Sequence, residues 1–194
     1  MNERVERGQS TRDTMVAVAT RLFGERGYDG ASIEAVLRES GVSRGALYHH
    51  FADKKALFEA VLESVEADAA RRTVEAASGA TDPAGALRAG CEAWVRIAAE
   101  PEVRRIVLLD APGVVGWARW REIDEQYGFG ILKAALAAIA EDGRLDADLV
   151  DLFAHMILAA LNEIALIVAQ SPDRADATRR AQSAVDQLLT KFLD

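Results

Sequence analysis

Two hydroxyl residues suited to begin helices, Ser32 and Ser43, bracket a glycine, Gly41, suited to end one. A serine hydroxyl accepts from a free backbone N–H of the first helical turn, and glycine enters the left-handed conformation without a Cβ penalty. Between the first cap and the glycine, Ile33, Val36 and Leu37 recur at helical spacing, with Glu34, Arg38 and Glu39 on the other side. The second cap opens Arg44-Gly45-Ala46-Leu47-Tyr48-His49-His50, where Leu47 and Phe51 lie four apart and bury one face. Two short helices joined by a three- to four-residue turn containing glycine form a helix-turn-helix, whose second helix enters the DNA major groove. The motif spans Ala31 to His50.

The outer face of that second helix carries the chemistry. Arg44 stands in the first turn, placed to reach a base edge, where a bidentate pairing with guanine is the commonest specific contact. Gly45 and Ala46 are small enough for close approach to a duplex. Lys54 and Lys55 follow as phosphate contacts, which position without specifying. The DNA-contact candidates are therefore Ser32, Ser43, Arg44, Gly45, Ala46, Tyr48, His49, His50, Lys54 and Lys55. His49 and His50 are adjacent, point about 100° apart on a helix and do not converge on one metal ion.

The flanks extend the pattern. Residues 10–27 read as a preceding amphipathic helix, with Ser10 and Asp13 at its start, Met15, Ala19, Leu22 and Phe23 as its stripe and Gly27 as its end. Residues 1–9 are polar and read as a frayed arm. Over roughly residues 10–60, and most specifically in Ala46-Leu47-Tyr48-His49-His50-Phe51 followed by Lys54 and Leu57, the chain closely resembles the N-terminal domain of TetR-family transcriptional regulators. The resemblance implies that Tyr48 and Lys54 touch DNA phosphates, that Phe51 packs inside and that the start of the third helix, at Arg44, reads bases.

A formal charge of −8 sits poorly with DNA binding until it is divided along the chain. Residues 1–55 hold nine Lys/Arg against eight Asp/Glu, whereas residues 56–194 hold fourteen against twenty-three. The acidity belongs to the second part. Affinity then rests on a few well-placed cations in two half-sites rather than on a broad basic field. One cysteine, Cys91, excludes an intramolecular disulfide and fits a reducing cytoplasm. No apolar run resembles a signal peptide or reaches eighteen uninterrupted residues, so no membrane partner is expected.

Beyond Asp53 the chain reads as helices separated by short breaks. The expected fold is all-α, about nine helices, with a helix-turn-helix DNA-binding domain at 1–53 and a helical regulatory and dimerisation domain at 54–194. Asp53 caps a long helix reaching about Ser78. Pro83 opens the next, and Pro101 opens a short one that Asp110-Ala111-Pro112-Gly113 ends. A long helix is read from Gly116 to Asp142, with Gly128 and Gly130 marking a bend or close packing. Residues 147–169 are apolar nearly all round, and the final helix carries one stripe of Ala181, Ala184, Val185, Leu188 and Phe192. Two such helices from each of two chains would form a four-helix homodimer interface, an arrangement TetR-like proteins resemble.

No nucleophile with its base, paired carboxylates, phosphate loop or metal-spaced cluster is visible, so neither an enzyme nor a cofactor is expected. The middle helices hold Trp94, Trp117, Trp120, Tyr127 and Phe129, which either fill the core or line an apolar cavity. The family resemblance implies a small-molecule inducer there, with Cys91, Trp94, Asp110, Trp117, Trp120, Tyr127, His155 and Asn162 as candidate ligand contacts. The resulting expectation is a sequence-specific DNA-binding regulator, a repressor released from an inverted-repeat operator by a small molecule. The alternative is a helical ligand carrier or enzyme whose helix-turn-helix is only structural.

Overall fold

The computed structural model describes residues 3–193, with no strand among them. In chain order the helices are α1 (Glu3–Gly30), α2 (Ile33–Ser40), α3 (Arg44–His50), α4 (Lys54–Ala77), α5 (Pro83–Ala98), α6 (Pro101–Val103), α7 (Ala111–Val114), α8 (Trp117–Asp124), α9 (Gly130–Glu141), α10 (Val150–Gln170) and α11 (Arg174–Leu193). A π segment, Arg104–Asp110, joins α6 to α7, and another, Glu125–Phe129, joins α8 to α9. With each such run counted as one rod, the described residues form nine helical rods.

The chain divides into two compact units, residues 1–65 with 101–117, and residues 66–100 with 118–194. In the first, α1 supplies Met15, Ala19, Leu22 and Phe23, α2 supplies Ile33 and Val36, and α4 supplies Leu57, Phe58, Val61 and Leu62, all buried. Phe23, Tyr28 and Phe58 pack ring against ring, with Phe23 and Phe58 edge-to-face at 5.1 Å between centroids. The second unit is built on Leu87, Cys91 and Val95 of α5, Leu132, Leu136 and Ile139 of α9, Leu158 and Leu161 of α10, and Val185 and Leu189 of α11. The first unit's packing thus takes in the start of α4 and residues 101–117, further than a segment ending at residue 53.

Three local expectations change. The first helix runs through Ser10 back to Glu3, so Ser10 is interior, residues 3–9 are helical rather than a frayed arm, and residues 1–2 lie outside the described residues. Asp110-Ala111-Pro112-Gly113 does not end a helix. Backbone N–H of Ala111 reaches Ile106 O, a π-type bond, and the chain stays helical to Val114. The widened turn lies just before Pro112, which brings no N–H of its own. The helix read from Gly116 to Asp142 is interrupted at 125–129, and Gly128 lies in that interruption because of close packing: a Cβ there would stand 3.0 Å from Leu158 Cδ1. Helix α10 with its leading turn, 147–170, has the length and composition to cross a bilayer. Its Ala154, Leu158, Leu161, Ala165 and Val168 are instead buried in the second unit's core.

Gly27 ends the main rod of α1 as expected, at φ 73°, and a Cβ built on it would overlap the Arg105 guanidinium. Arg105 Nε donates to Asp110 Oδ2 at 3.2 Å, and the same oxygen accepts from Tyr28 N at 2.7 Å. Gly27→Ala therefore combines a left-handed backbone with a displaced ion pair. It should lower stability by about 1–3 kcal/mol in chemical denaturation; an unchanged midpoint would refute this account of Gly27.

Candidate functional site

The helix-turn-helix is assembled from its caps. Ser32 Oγ accepts from Ala35 N at 3.1 Å, Gly41 is left-handed at φ 69° and its N–H donates to Leu37 O, and Ser43 Oγ accepts from Ala46 N at 3.2 Å. Asp53 Oδ1 accepts from Ala56 N at 2.7 Å and starts α4. Leu47 and Phe51 are buried beneath α3, while Arg44, Gly45, Tyr48 and His49 are exposed and Ala46 and His50 half-exposed. The serine caps are committed to backbone donors. Their part in the site is to fix the direction of α3.

Two cations of the interface are held in place. Arg44 Nη2 donates to Glu34 Oε1 at 2.9 Å, tying the reading helix to α2. A backbone hydrogen bond, then Arg44 itself, holds the Glu34 carboxyl below its usual range. Lys54 Nζ lies 4.2 Å from the centre of the Tyr28 ring, a cation–π contact that aims the amine from the first turn of α4. Lys55 is exposed. Gly45 is exposed, and a Cβ added to it would meet nothing within 4 Å. Nothing within the described residues requires glycine there, although glycine costs a helix on the order of 1 kcal/mol relative to alanine.

The second unit holds a cavity of about 100 Å³ whose wall includes Ala70, Thr73, Leu87, Gly90, Cys91, Trp94, Tyr127, Gly128, Leu132, Leu158 and Leu161. Of the eight ligand candidates, Cys91, Trp94 and Tyr127 line it. Asn162 is buried and donates from Nδ2 to Asp124 Oδ2 at 2.7 Å. The other four stand elsewhere. Asp110 belongs to the first unit, where it holds Tyr28 and Arg105. Trp117, also of the first unit, is 59 % exposed, and Trp120 is packed in the core. His155 is exposed and stacks on Phe129, 4.3 Å between centroids. Trp117, Trp120 and His155 stand on helices that supply wall residues but on other faces, whereas Asp110 stands on a segment that supplies none. Burial pushes the Cys91 thiol up to about 12, with Glu92 adding to the rise, so it is a small apolar wall residue.

Two wall residues were not read from the sequence, Glu66 and Asp124, both almost fully buried. The signal was present. Glu66 continues the Phe58, Leu62 stripe of α4 at four-residue spacing, and Asp124 follows Trp120 by four. Burial, and secondarily the charge of Asp124, pushes Glu66 up to about 8. Burial also raises Asp124 to about 6, against the lowering effects of its Asn162 hydrogen bond and of Arg121 at 3.7 Å. An acid with a raised folded pKa keeps a proton that the unfolded chain gives up. Its effect is to make stability fall as pH rises between the two pKa values. For Glu66 that window is about pH 4.5 to 8, and the loss across it is on the order of a few kcal/mol. Glu66→Gln should flatten the decline in melting temperature from pH 5 to pH 8 and stabilise the protein above pH 8. Parallel profiles for the two proteins would contradict the burial of an uncompensated acid.

The comparisons with known proteins agree with this geometry. The model of bacterial regulatory proteins of the tetR family matches residues 15–61, and that of the tetracyclin repressor-like C-terminal domain matches residues 84–192. The Transposon Tn10 TetC protein of Escherichia coli is 25% identical over 177 residues, 90% of this chain and 88% of that protein. The HTH-type transcriptional repressor AcnR of Corynebacterium efficiens is 42% identical over 62 residues, 32% of this chain and 31% of that one. A crystal structure of a TetR-family transcriptional regulator from Pectobacterium atrosepticum superposes with a TM-score of 0.86 at 31% identity, covering 97% of this chain and 96% of the other. With both halves of the chain matched, and a capped reading helix presenting Arg44, this protein belongs to the TetR family of DNA-binding transcriptional regulators.

Proposed function

We propose that the protein is a cytoplasmic homodimeric repressor that reads an inverted-repeat operator through α3 and is released by a small molecule bound in the cavity of its second unit. The observation that carries the DNA reading is the exposed face of α3, where Arg44, Gly45 and Tyr48 project from a helix fixed by Leu47 and Phe51. Arg44 reads a base edge, exchanging its bond to Glu34 for one to DNA, while Lys54 and Lys55 hold phosphates. Self-association is supported by the outer face of α10 and α11. Leu152, Met156 and Ile167 form one exposed stripe along α10, at spacings of four and eleven residues, with Leu188 exposed on α11. Apolar side chains in such a row mark an interaction surface, and a two-fold pair would set reading helices one turn of DNA apart. The inducer reading is supported by the cavity. A ligand that prefers a conformer with misplaced reading helices shifts the population off DNA.

Arg44→Ala should lose discrimination at one base position at a cost of about 1–3 kcal/mol, whereas Lys54→Ala should weaken binding to all sequences and shallow its salt dependence. Gel-shift assays on the DNA upstream of the protein's own gene measure both; unchanged affinity and footprint for Arg44→Ala would refute the assignment. Met156→Lys should shift sedimentation from dimer to monomer, and a dimer of undiminished stability would remove this face as the interface. Gly90 lines the cavity, and a Cβ on it meets Thr73 Cγ2 at an ordinary 3.7 Å. Gly90→Leu should therefore fill the space in place of a ligand and lower operator affinity about fivefold or more; wild-type affinity would argue against coupling between cavity and DNA.

A further inference from the structure

The two buried acids of the cavity are not equivalent. Asp124 accepts from Asn162 Nδ2 at 2.7 Å and faces Arg121 Nη1 at 3.7 Å. Glu66 is 3 % exposed and its Oε1 has no hydrogen-bond partner. Asn162 Oδ1, on the amide that holds Asp124, is likewise without a donor. A carboxyl group buried without a partner is costly, and a leucine or glutamine in its place would relieve much of that cost. Among the described residues the wall contains no Lys, Arg or His, and most of it is Ala, Gly, Leu and Ile.

These facts sort ligands by charge. An anion would meet Glu66 and Asp124 with no cation in the wall to compensate. A wholly apolar ligand would leave Glu66 as unpartnered as before. A cation with an apolar body satisfies both parts of the surface. An ammonium group has donors only, three of them, and the unmet need at Glu66 Oε1 in the wall is for a donor, whereas Trp94 Nε1, the wall's other unpartnered polar atom, is itself a donor and offers an ammonium nothing. Folding has already removed the Glu66 carboxyl from water, so binding adds the desolvation of the ammonium and, below about pH 8, the release of the proton that Glu66 holds. One carboxyl is uncompensated, so one positive charge is called for. The volume, about 100 Å³, is below the ~150 Å³ of a cavity that admits benzene. The apolar body is then a small ring or a short branched chain.

We propose that this cavity binds a compact organic monocation, a protonated primary amine, whose ammonium group pairs with Glu66. The proposal rests on reading the cavity as the inducer site and supplies the chemistry of the inducer.

The test uses the full-length protein and three probes of one shape, small enough for the space: isopropylamine, isopropanol and isobutyrate. Binding is read by calorimetry and by the shift in melting temperature, and release from operator DNA by gel shift. The expected order is amine, then alcohol, then carboxylate. The amine should bind at least about tenfold tighter than the alcohol, as a charge-assisted hydrogen bond in a buried site requires. Glu66→Gln should abolish that preference while leaving alcohol binding in place, with circular dichroism verifying its fold. The wild-type comparison stands even if the variant does not fold. Alcohol or carboxylate binding as tightly as the amine and releasing the operator would overturn the amine and leave the inducer site standing. If none of the three binds while Gly90→Leu still lowers operator affinity, the amine is again overturned and the inducer site stands. If none binds and Gly90→Leu behaves as wild type, both fall.

Discussion

A helix of seven residues has no stability of its own in water, since nucleation costs more than so few backbone bonds return. The reading helix α3 exists because Leu47 and Phe51 are pinned in an apolar layer that the rest of the first unit supplies. Everything the outer face can do depends on that anchor. Phe23, Tyr28 and Phe58 build the aromatic part of the layer, and Tyr28 also carries Lys54 over its ring. Tyr28 thus ties this aromatic layer to the lysine that opens α4. Side chains held in place in this way would need less ordering on contact with DNA.

How much of this could be read from the chain depends on how local the cause is. Ser32, Gly41, Ser43 and Asp53 act within one turn of themselves, and all four do in three dimensions what their sequence positions suggest. The stripe of α1 is likewise set by spacing alone, whereas on α11 the buried row is Ala181, Val185, Leu189 and Leu193, and Ala184 and Leu188 of the expected stripe are exposed. The π segments were not legible, because a change from four- to five-residue hydrogen bonding leaves composition untouched; only Gly128 and Gly130 hinted at one. The cavity was half legible. Aromatic content pointed to the right region, but spacing fixes a face only to within a fraction of a turn, so Trp94 and Tyr127 face the space while Trp117 and His155 do not. Glu66 was overlooked because a charge on an apolar stripe is ordinarily taken as the stripe's edge.

The two units differ in how they use charge. In the first, the charged side chains around the helix-turn-helix are exposed, paired and reusable: Arg44 with Glu34, and Arg21 with Glu25 and Glu39. Exposed pairs of this kind contribute little to stability and are easily exchanged for other partners. In the second, Glu66 and Asp124 are removed from water and cannot be exchanged without a change of protonation or the arrival of a partner. Surface charge suits reversible contact with a polyanion. Buried charge suits discrimination among small molecules, where one unmet hydrogen bond decides between similar shapes.

Gly128 gives these parts a mechanical relation. It lies in the wall of the cavity, and its missing side chain lets Leu158 of α10 approach to within 3.0 Å of where a Cβ would be. One residue further on, Phe129 stacks on His155, also of α10. Contacts this close have no soft layer between them, and packed interiors are nearly incompressible. The helix whose inner side closes the cavity carries the exposed row of Leu152, Met156 and Ile167 on its outer side. A change of volume on one side of that rod reaches the other as displacement, and two copies meeting along it would each register whether the other's cavity is full.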